Sequence, residues 1–277
     1  MTTPISGPND NTSDALRIAL ICHSDEPINH DLVRRWLASF CTVVGLVLID
    51  EDRGVWFTRL RAEYRRVGLL RLMDVLAFRV YYRLFRAAAD VAWLRAEIER
   101  RSKLFPDVTS RIPVLMTRNP NDETVVKFLR DVAPQIVIAR CKWLLRQDVY
   151  KVPSRGTFVL HPGICPQYRN AHGCFWAIAN RDLANVGLTL LQIDDGIDTG
   201  PVYGFFRYPF DELSESHVRV QHRALLENFN AIRALLLDIG SGRSVALEVS
   251  GRPSRNWGQP WLSAYLRSRC AARRRRG

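Results

Sequence analysis

Apolar residues run along this chain in two rhythms. Short, almost unbroken apolar runs at Arg17–Cys22 (RIALIC), Thr42–Asp50 (TVVGLVLID), Ile112–Thr117 (IPVLMT) and Gln135–Arg140 (QIVIAR) predict four strands. Helical spacing at about His30–Phe40 and Asp122–Val132 separates them. β-rich runs of this kind, alternating with helices, predict an α/β fold with a parallel sheet covered by helices on both faces. Ligands of such sheets sit beyond the carboxyl ends of the strands. Cys22-His23-Ser24, Arg140–Leu144 and His161 all fall there. No GxGxxG follows the first strand, so a dinucleotide cofactor has no support.

The second and third strands are separated by far more chain than one crossover needs. From Trp56 to Arg101 the spacing predicts one or two helices with a break at Gly68. Leu69, Met73, Leu76, Val80, Leu84 and Ala88 form an apolar stripe, with Arg71, Arg79, Arg83 and Arg86 off it. A stripe at helical spacing is first read as the face that packs on the domain; a helix seated on a membrane or a partner is the alternative. Further on, Val202–Tyr208 reads as a strand and Ser214–Ile239 as one long helix, opened by a Ser-Glu-Ser cap and closed by Gly240-Ser-Gly242. The last segment, punctuated by Pro and Gly, reads as an ordered strap running into a mobile arginine tail.

Charge refines this picture. The net charge of +12 is local: residues 53–103 hold 13 Arg and Lys against 5 acids, and residues 267–276 hold six Arg and no acid. The rest of the chain is close to neutral. Two basic elements therefore predict a meeting with anionic partners, either an anionic membrane surface or a polyanion. The polar N-terminus has no signal-peptide pattern and no apolar run reaches the roughly 18 residues of a span, which predicts a cytoplasmic protein, at most peripheral to the inner face of the membrane. Six scattered cysteines without CxxC or Cys/His spacing predict reduced thiols and no metal site.

The chemistry concentrates between Leu160 and Gly200, LHPGICPQYRNAHGCFWAIANRDLANVGLTLLQIDDGIDTG. A histidine in a His-Pro-Gly turn is followed, after about a strand, a helix and a strand, by the acidic loop Asp194-Asp195-Gly-Ile-Asp198-Thr-Gly200. A buried imidazole meeting a carboxylate is a general acid/base at neutral pH. HPG, PxYR, GLT and DxGIDTG in this order and spacing resemble the folate-dependent formyltransferase family, methionyl-tRNA and sugar N-formyltransferases among them. The match is tight over about 45 residues, and the strand order is compatible over about 130 more. The resemblance implies a Rossmann-like formyltransferase fold, here with a basic helical insertion at about 53–105. It divides the chain into a disordered N-terminus (1–15), a catalytic domain (16–248), and a C-terminal strap with an Arg-rich tail (249–277).

By the resemblance, 10-formyltetrahydrofolate is the formyl donor and a primary amine the acceptor. His161 takes the general acid/base position and Asp198 that of its carboxylate partner. Donor contacts map to Cys141, Lys142, Trp143 and Leu144, and to Asp194, Asp195, Gly196 and Ile197; Trp143 either packs on the donor's rings or belongs to the core. Cys165 and Cys174 read as packing residues. One position departs from the family pattern. The Asn two residues before the histidine, whose amide faces the oxyanion, is Val159 here. Loss of such a donor costs on the order of 100- to 1000-fold in rate. Asn170 or His172 is the expected substitute, with Asn170 as a left-handed turn residue the plain alternative. With 79 residues after Asp198, tRNA is disfavoured as acceptor. A nucleotide-linked amino sugar or similar small amine is the expectation. Methionyl-tRNA formylation, hydrolysis of the formyl donor, and a folate-binding module impaired at Val159 are the alternatives.

Overall fold

Parallel pairing brings the four expected strands side by side in a computed structural model that describes residues 15–51, 54–105, 107 and 112–276, without the side chains of 55–60 and 62. The N-terminal segment expected to be disordered lies almost wholly outside the described residues. The strands are β1 (Arg17–His23), β2 (Thr42–Ile49), β3 (Val114–Thr117), β4 (Ile136–Arg140), β5 (Gly156–His161), β6 (Arg169–Asn170), β7 (Leu188–Gln192), β8 (Val202–Phe206) and β9 (Asn256–Trp257). Seven of them form one sheet in the order β3-β2-β1-β4-β5-β7-β8, while β6 and β9 pair separately. Ile18, Leu20, Ile136 and Ile138 point into one core layer and Ala19, Ile21, Val137 and Ala139 into the other. This is why these strands read as unbroken apolar runs: both faces are covered.

The expectation of a parallel sheet needs correction at one edge. β7 runs antiparallel to β5, and β8 antiparallel to β7. A short loop can join only antiparallel neighbours, and β7 and β8 are linked directly through the acidic loop. That loop leaves β7 at Gln192, opposite Phe158, and within it Asp198 comes back along the sheet to His161.

The helices are α1 (Arg34–Ala38, entered through a π-helical turn at Ile28–Val33), α2 (Val55–Phe85), α3 (Ala87–Ser102), α4 (Glu123–Val132), α5 (Gln147–Tyr150), α6 (Gly173–Ala179), α7 (His217–Leu226), α8 (Phe229–Gly240) and α9 (Leu262–Arg276). The insertion is helical as expected, and Gly68 breaks it with φ 75° and ψ 175°. Three other expectations fail. The single helix over 214–239 is two, because Asn228 turns its amide back onto the carbonyls of Ala224 and Arg207 at 2.9 and 3.1 Å. The arginine tail is not mobile chain: it is helix α9, anchored by Arg269 on the carbonyls of Glu212 and Leu213 and by Arg276 on Asp211.

The apolar stripe of α2 is the third. Leu69, Met73, Val80 and Leu84 are exposed, whereas Leu72, Val75 and Phe78 are buried. The helix is apolar on two faces, and the one carrying Phe78 packs because it meets aromatic partners. Phe78 lies 5.3 Å from Phe175 of α6, and 5.6 Å from both His217 of α7 and Tyr265 of α9. One side chain thus joins the insertion, the catalytic half and the C-terminal helix. Phe78→Ala should cost about 3–5 kcal/mol in urea unfolding, and Leu84→Ala no more than about 0.5 kcal/mol.

Burial in this aromatic cluster pushes the His217 imidazole down to about 3. Between its ordinary 6.5 and that value the unfolded chain takes up a proton that the folded chain refuses. Acid therefore favours unfolding, by up to about 1.4 kcal/mol per pH unit for this group. His217→Phe should flatten the loss of urea stability between pH 6.5 and pH 4.5 by about one proton's worth.

Candidate active site

Strand β5 ends at His161, which is buried with its side chain 5% exposed. Nε2 lies 2.8 Å from the Tyr168 carbonyl and Nδ1 3.2 Å from Asp198 Oδ2. A carbonyl only accepts, so Nε2 carries a hydrogen. Nδ1 is then the nitrogen that faces the Asp198 carboxylate. The turn after His161 admits no side chain. A Cβ on Gly163 would stand 2.6 Å from the Tyr168 carbonyl, 2.9 Å from Gly173 Cα and 3.0 Å from His161 Nε2. Buried Thr189, directly across β7 from His161, clamps the same turn. Its hydroxyl donates to the Gly163 carbonyl at 2.6 Å and accepts from the Cys165 amide at 3.0 Å. The GLT in the sequence motif is this clamp.

The acidic loop is held internally. Asp194 accepts from the Gly196 amide at 3.0 Å and from the Thr199 hydroxyl at 2.7 Å. Asp195 accepts from Gln147 at 2.8 Å and from the Tyr150 hydroxyl at 2.7 Å, and the tyrosine hydrogen bond holds its carboxyl below the usual range. Arg169 reaches the Ile197 carbonyl at 3.0 Å. These bonds aim Asp198, whose φ of 51° is a left-handed conformation that Asp tolerates better than most residues.

At the end of β4 the chain turns through Cys141–Leu144. Trp143 packs against the second core layer, and its indole Nε1 is buried without a hydrogen-bond partner. Leu144 is 56% exposed, and Ile197 of the acidic loop is 41% exposed. Two exposed apolar side chains and an unspent buried donor suit a ring system that is flat, apolar on its faces and polar at its edge. Burial pushes the Cys141 thiol up to about 11.

Beside this turn is a polar network that sequence reasoning missed, because its members are far apart in the chain. Arg140 donates to the Leu160 carbonyl at 2.6 Å and to Asn29 at 3.0 Å. Asn29 donates to Glu26 at 2.7 Å, and Glu26 pairs with Lys142 at 2.8 Å. The Lys142 amide donates to His23 Nε2 at 3.1 Å, and burial lowers the His23 pKa, keeping that nitrogen an acceptor.

Val159 sits two residues before His161 on β5 and packs with Cys165, Leu191 and Val202. Asn170 is left-handed, with φ 71°. Its amide donates to the Trp257 carbonyl at 2.7 Å, while its backbone N–H donates to Asp198 Oδ2 at 2.7 Å. The expected oxyanion donor is thus committed to the β6–β9 junction and to orienting the carboxylate. His172 is also left-handed, with φ 56°. Its imidazole is hydrogen-bonded to Gln259 and pushed down to about 4 by burial and by Arg79 and Lys142. Arg79 of the insertion itself reaches Gln259 at 3.3 Å.

The model of the family described as formyl transferase matches residues 94–234. A methionyl-tRNA formyltransferase of Bacteroides fragilis is 31% identical over 128 residues, 44% of this chain and 39% of that enzyme. The match thus spans about two-fifths of the relative's length. Among solved structures, a sugar N-formyltransferase from a Shewanella species superposes with a TM-score of 0.52 at 12% identity, covering 87% of this chain and 75% of that one. A phosphoribosylglycinamide formyltransferase from Anaplasma phagocytophilum gives 0.53 at 13% identity, covering 82% and 88%.

Gly163→Ala should displace the His161 turn, lowering stability by about 1–3 kcal/mol in urea unfolding. Burial raises the thiol pKa of Cys22, Cys41 and Cys174 to about 12 and that of Cys165 further. A disulfide-exchange reagent at mildly alkaline pH should therefore modify exposed Cys270 first, and the buried thiols only on unfolding.

Proposed function

This chain belongs to the formyl transferase family, and we propose that it moves a formyl group from 10-formyltetrahydrofolate to a primary amine, with a nucleotide-linked amino sugar or a similar small amine as acceptor. The observation that carries this reading is the His161–Asp198 pair, buried and braced on both sides at the carboxyl end of the sheet. The donor lies between the Cys141–Leu144 turn and the Asp194–Ile197 loop, its ring edge meeting the Trp143 indole N–H and its faces Leu144 and Ile197. The amine attacks the formyl carbon. The adduct carries positive charge on the amine nitrogen and negative charge on the formyl oxygen. His161 and Asp198 pass the proton that the amine loses to N10 as the N10–formyl bond breaks, the carbonyl reforms and tetrahydrofolate leaves.

Asn170 is a positioning residue in this scheme: it acts through Asp198, whose Oδ2 its backbone N–H fixes. Val159 leaves the oxyanion without the amide seen in the family pattern, and a lower rate constant is its expected consequence. The acceptor side is bordered by Arg79, Lys142 and Glu63, all close enough to act on His172. It also has the stacked indoles of Trp176 and Trp257, with centroids 4.8 Å apart, and Arg71 lies 4.3 Å over Trp261. The indoles are buried against one another or under Arg71, so it is the cations, suited to a pyrophosphate, that support the nucleotide-linked acceptor over a bare amine.

The test is tetrahydrofolate production from 10-formyltetrahydrofolate with a panel of nucleotide-linked amino sugars. One acceptor should support turnover, and His161→Ala or Asp198→Asn should lower kcat by about 100- to 10,000-fold with urea stability retained. Tetrahydrofolate release without any amine would instead identify a hydrolase. Donor binding without turnover would identify a binding module. Asn170→Gly keeps the backbone N–H and the left-handed turn, so it should hold kcat within about threefold, roughly 0.7 kcal/mol. A loss of about 100-fold or more would return the oxyanion role to the Asn170 amide.

A further inference from the structure

Helix α2 is apolar on two opposite faces, and the fold uses one. On the other, Leu69, Met73, Val80 and Leu84 are 60, 58, 58 and 70% exposed. Half-buried Leu76 fills the gap between them, and Leu70, 87% exposed, lies at the edge of the stripe. From Leu69 to Leu84 this is about 22 Å of helix at 1.5 Å per residue. Water-facing leucine at this density is not ordinary surface scatter. Exposed Arg83 borders the stripe on one side and exposed Arg65 lies just beyond the Gly68 break, neither with an acidic partner among the described residues.

The second basic element lies beside the first. Tyr265 of α9 packs 5.6 Å from Phe78 and 5.3 Å from Tyr81, and Asp74 accepts from the Ser263 amide at 2.9 Å. The fold thus brings together two arginine-rich segments that are some 170 residues apart in the chain. Arg267, Arg273 and Arg274 of α9 are exposed as well.

We propose that this face of α2 seats the protein on an anionic lipid surface. The leucines enter the boundary between headgroups and acyl chains, and the arginines lie among lipid phosphates. Charge selects this occupant. A second copy of the chain would set one 53–103 segment of net charge +8 against another, Arg65 and Arg83 included. An RNA would engage the arginines and leave the leucines in water. An anionic bilayer satisfies both at once. No described helix is long and apolar enough to cross a membrane, so the contact is peripheral.

The inner face of the same helix touches the catalytic half. Arg79 holds Gln259, two residues from Trp257, whose carbonyl anchors Asn170 beside Asp198. Docking through the outer face places the acceptor side of the site near the lipid surface, whatever the acceptor is.

Flotation of the full chain with vesicles of phosphatidylglycerol and phosphatidylcholine, against phosphatidylcholine alone, tests this. Binding is expected only with the anionic vesicles and should weaken as salt rises. The triple variant Met73→Ser, Val80→Ser, Leu84→Ser, unchanged in circular dichroism, should lose at least about tenfold in partitioning. Arg65→Gln with Arg83→Gln should also weaken it, and more so at low salt. The proposal is overturned if wild-type protein does not float with anionic vesicles, or if the triple variant floats equally well. It is also overturned if sedimentation velocity without lipid shows a dimer that the triple variant dissolves, or if the chain retains RNA but not vesicles.

Discussion

Asp198 Oδ2 accepts from the backbone N–H of Asn170 at 2.7 Å and faces His161 Nδ1 at 3.2 Å, and much of the molecule serves to keep that one oxygen in place. The imidazole comes from the end of a parallel strand and the carboxylate from the return loop of an antiparallel hairpin. The change of direction between β5 and β7 sets Thr189 opposite His161, and the return loop carries Asp198 back from the Phe158 end to the imidazole. Thr189 fixes the first arm and Asp194 the second, each through two hydrogen bonds to groups within a few residues of the pair. Burial removes competing water, so a small number of well-placed bonds suffices to hold the geometry.

The β6–β9 junction links this site to the part of the chain that follows the sheet. Asn170 touches Asp198 with its backbone and Trp257 with its side chain. The Trp257 indole in turn donates to the Gln167 carbonyl at 2.9 Å, and Trp176 donates to Gly258 at 2.8 Å. Through these contacts the segment that reads as a strap becomes a wall of the acceptor side. The aromatic cluster around Phe78 then fastens the insertion to the same wall. Insertion, strap and catalytic loop therefore share one packed layer, and the identities of their aromatic residues matter as much for the site as for stability.

The helix of the insertion shows how far periodicity can mislead. Leu69, Met73, Val80 and Leu84 have the spacing of a packing face, yet Phe78 and Val75 on the opposite side are the ones buried. Spacing records that a face is apolar and carries no information about which neighbour will cover it. Likewise the arginine tail had the composition of mobile chain, but Glu212 and Asp211 stand where a helix can pair with them.

The local signals in the sequence were sufficient for the four parallel strands, the helical insertion with its break at Gly68, and the His161 and Asp198 motifs, because each depends on residues within a short window. Propensity, turn chemistry and apolar runs act over such windows. Tertiary structure alone decided the antiparallel edge, the split between α7 and α8, the face of α2 that packs, and the helical end of the chain. It also decided that Asn170 braces Asp198 through a backbone bond, and that Arg140, Asn29, Glu26 and Lys142 form one network. Each of these depends on groups distant in sequence meeting in space, and the free energy of such a meeting is set by packing and burial that no local window contains.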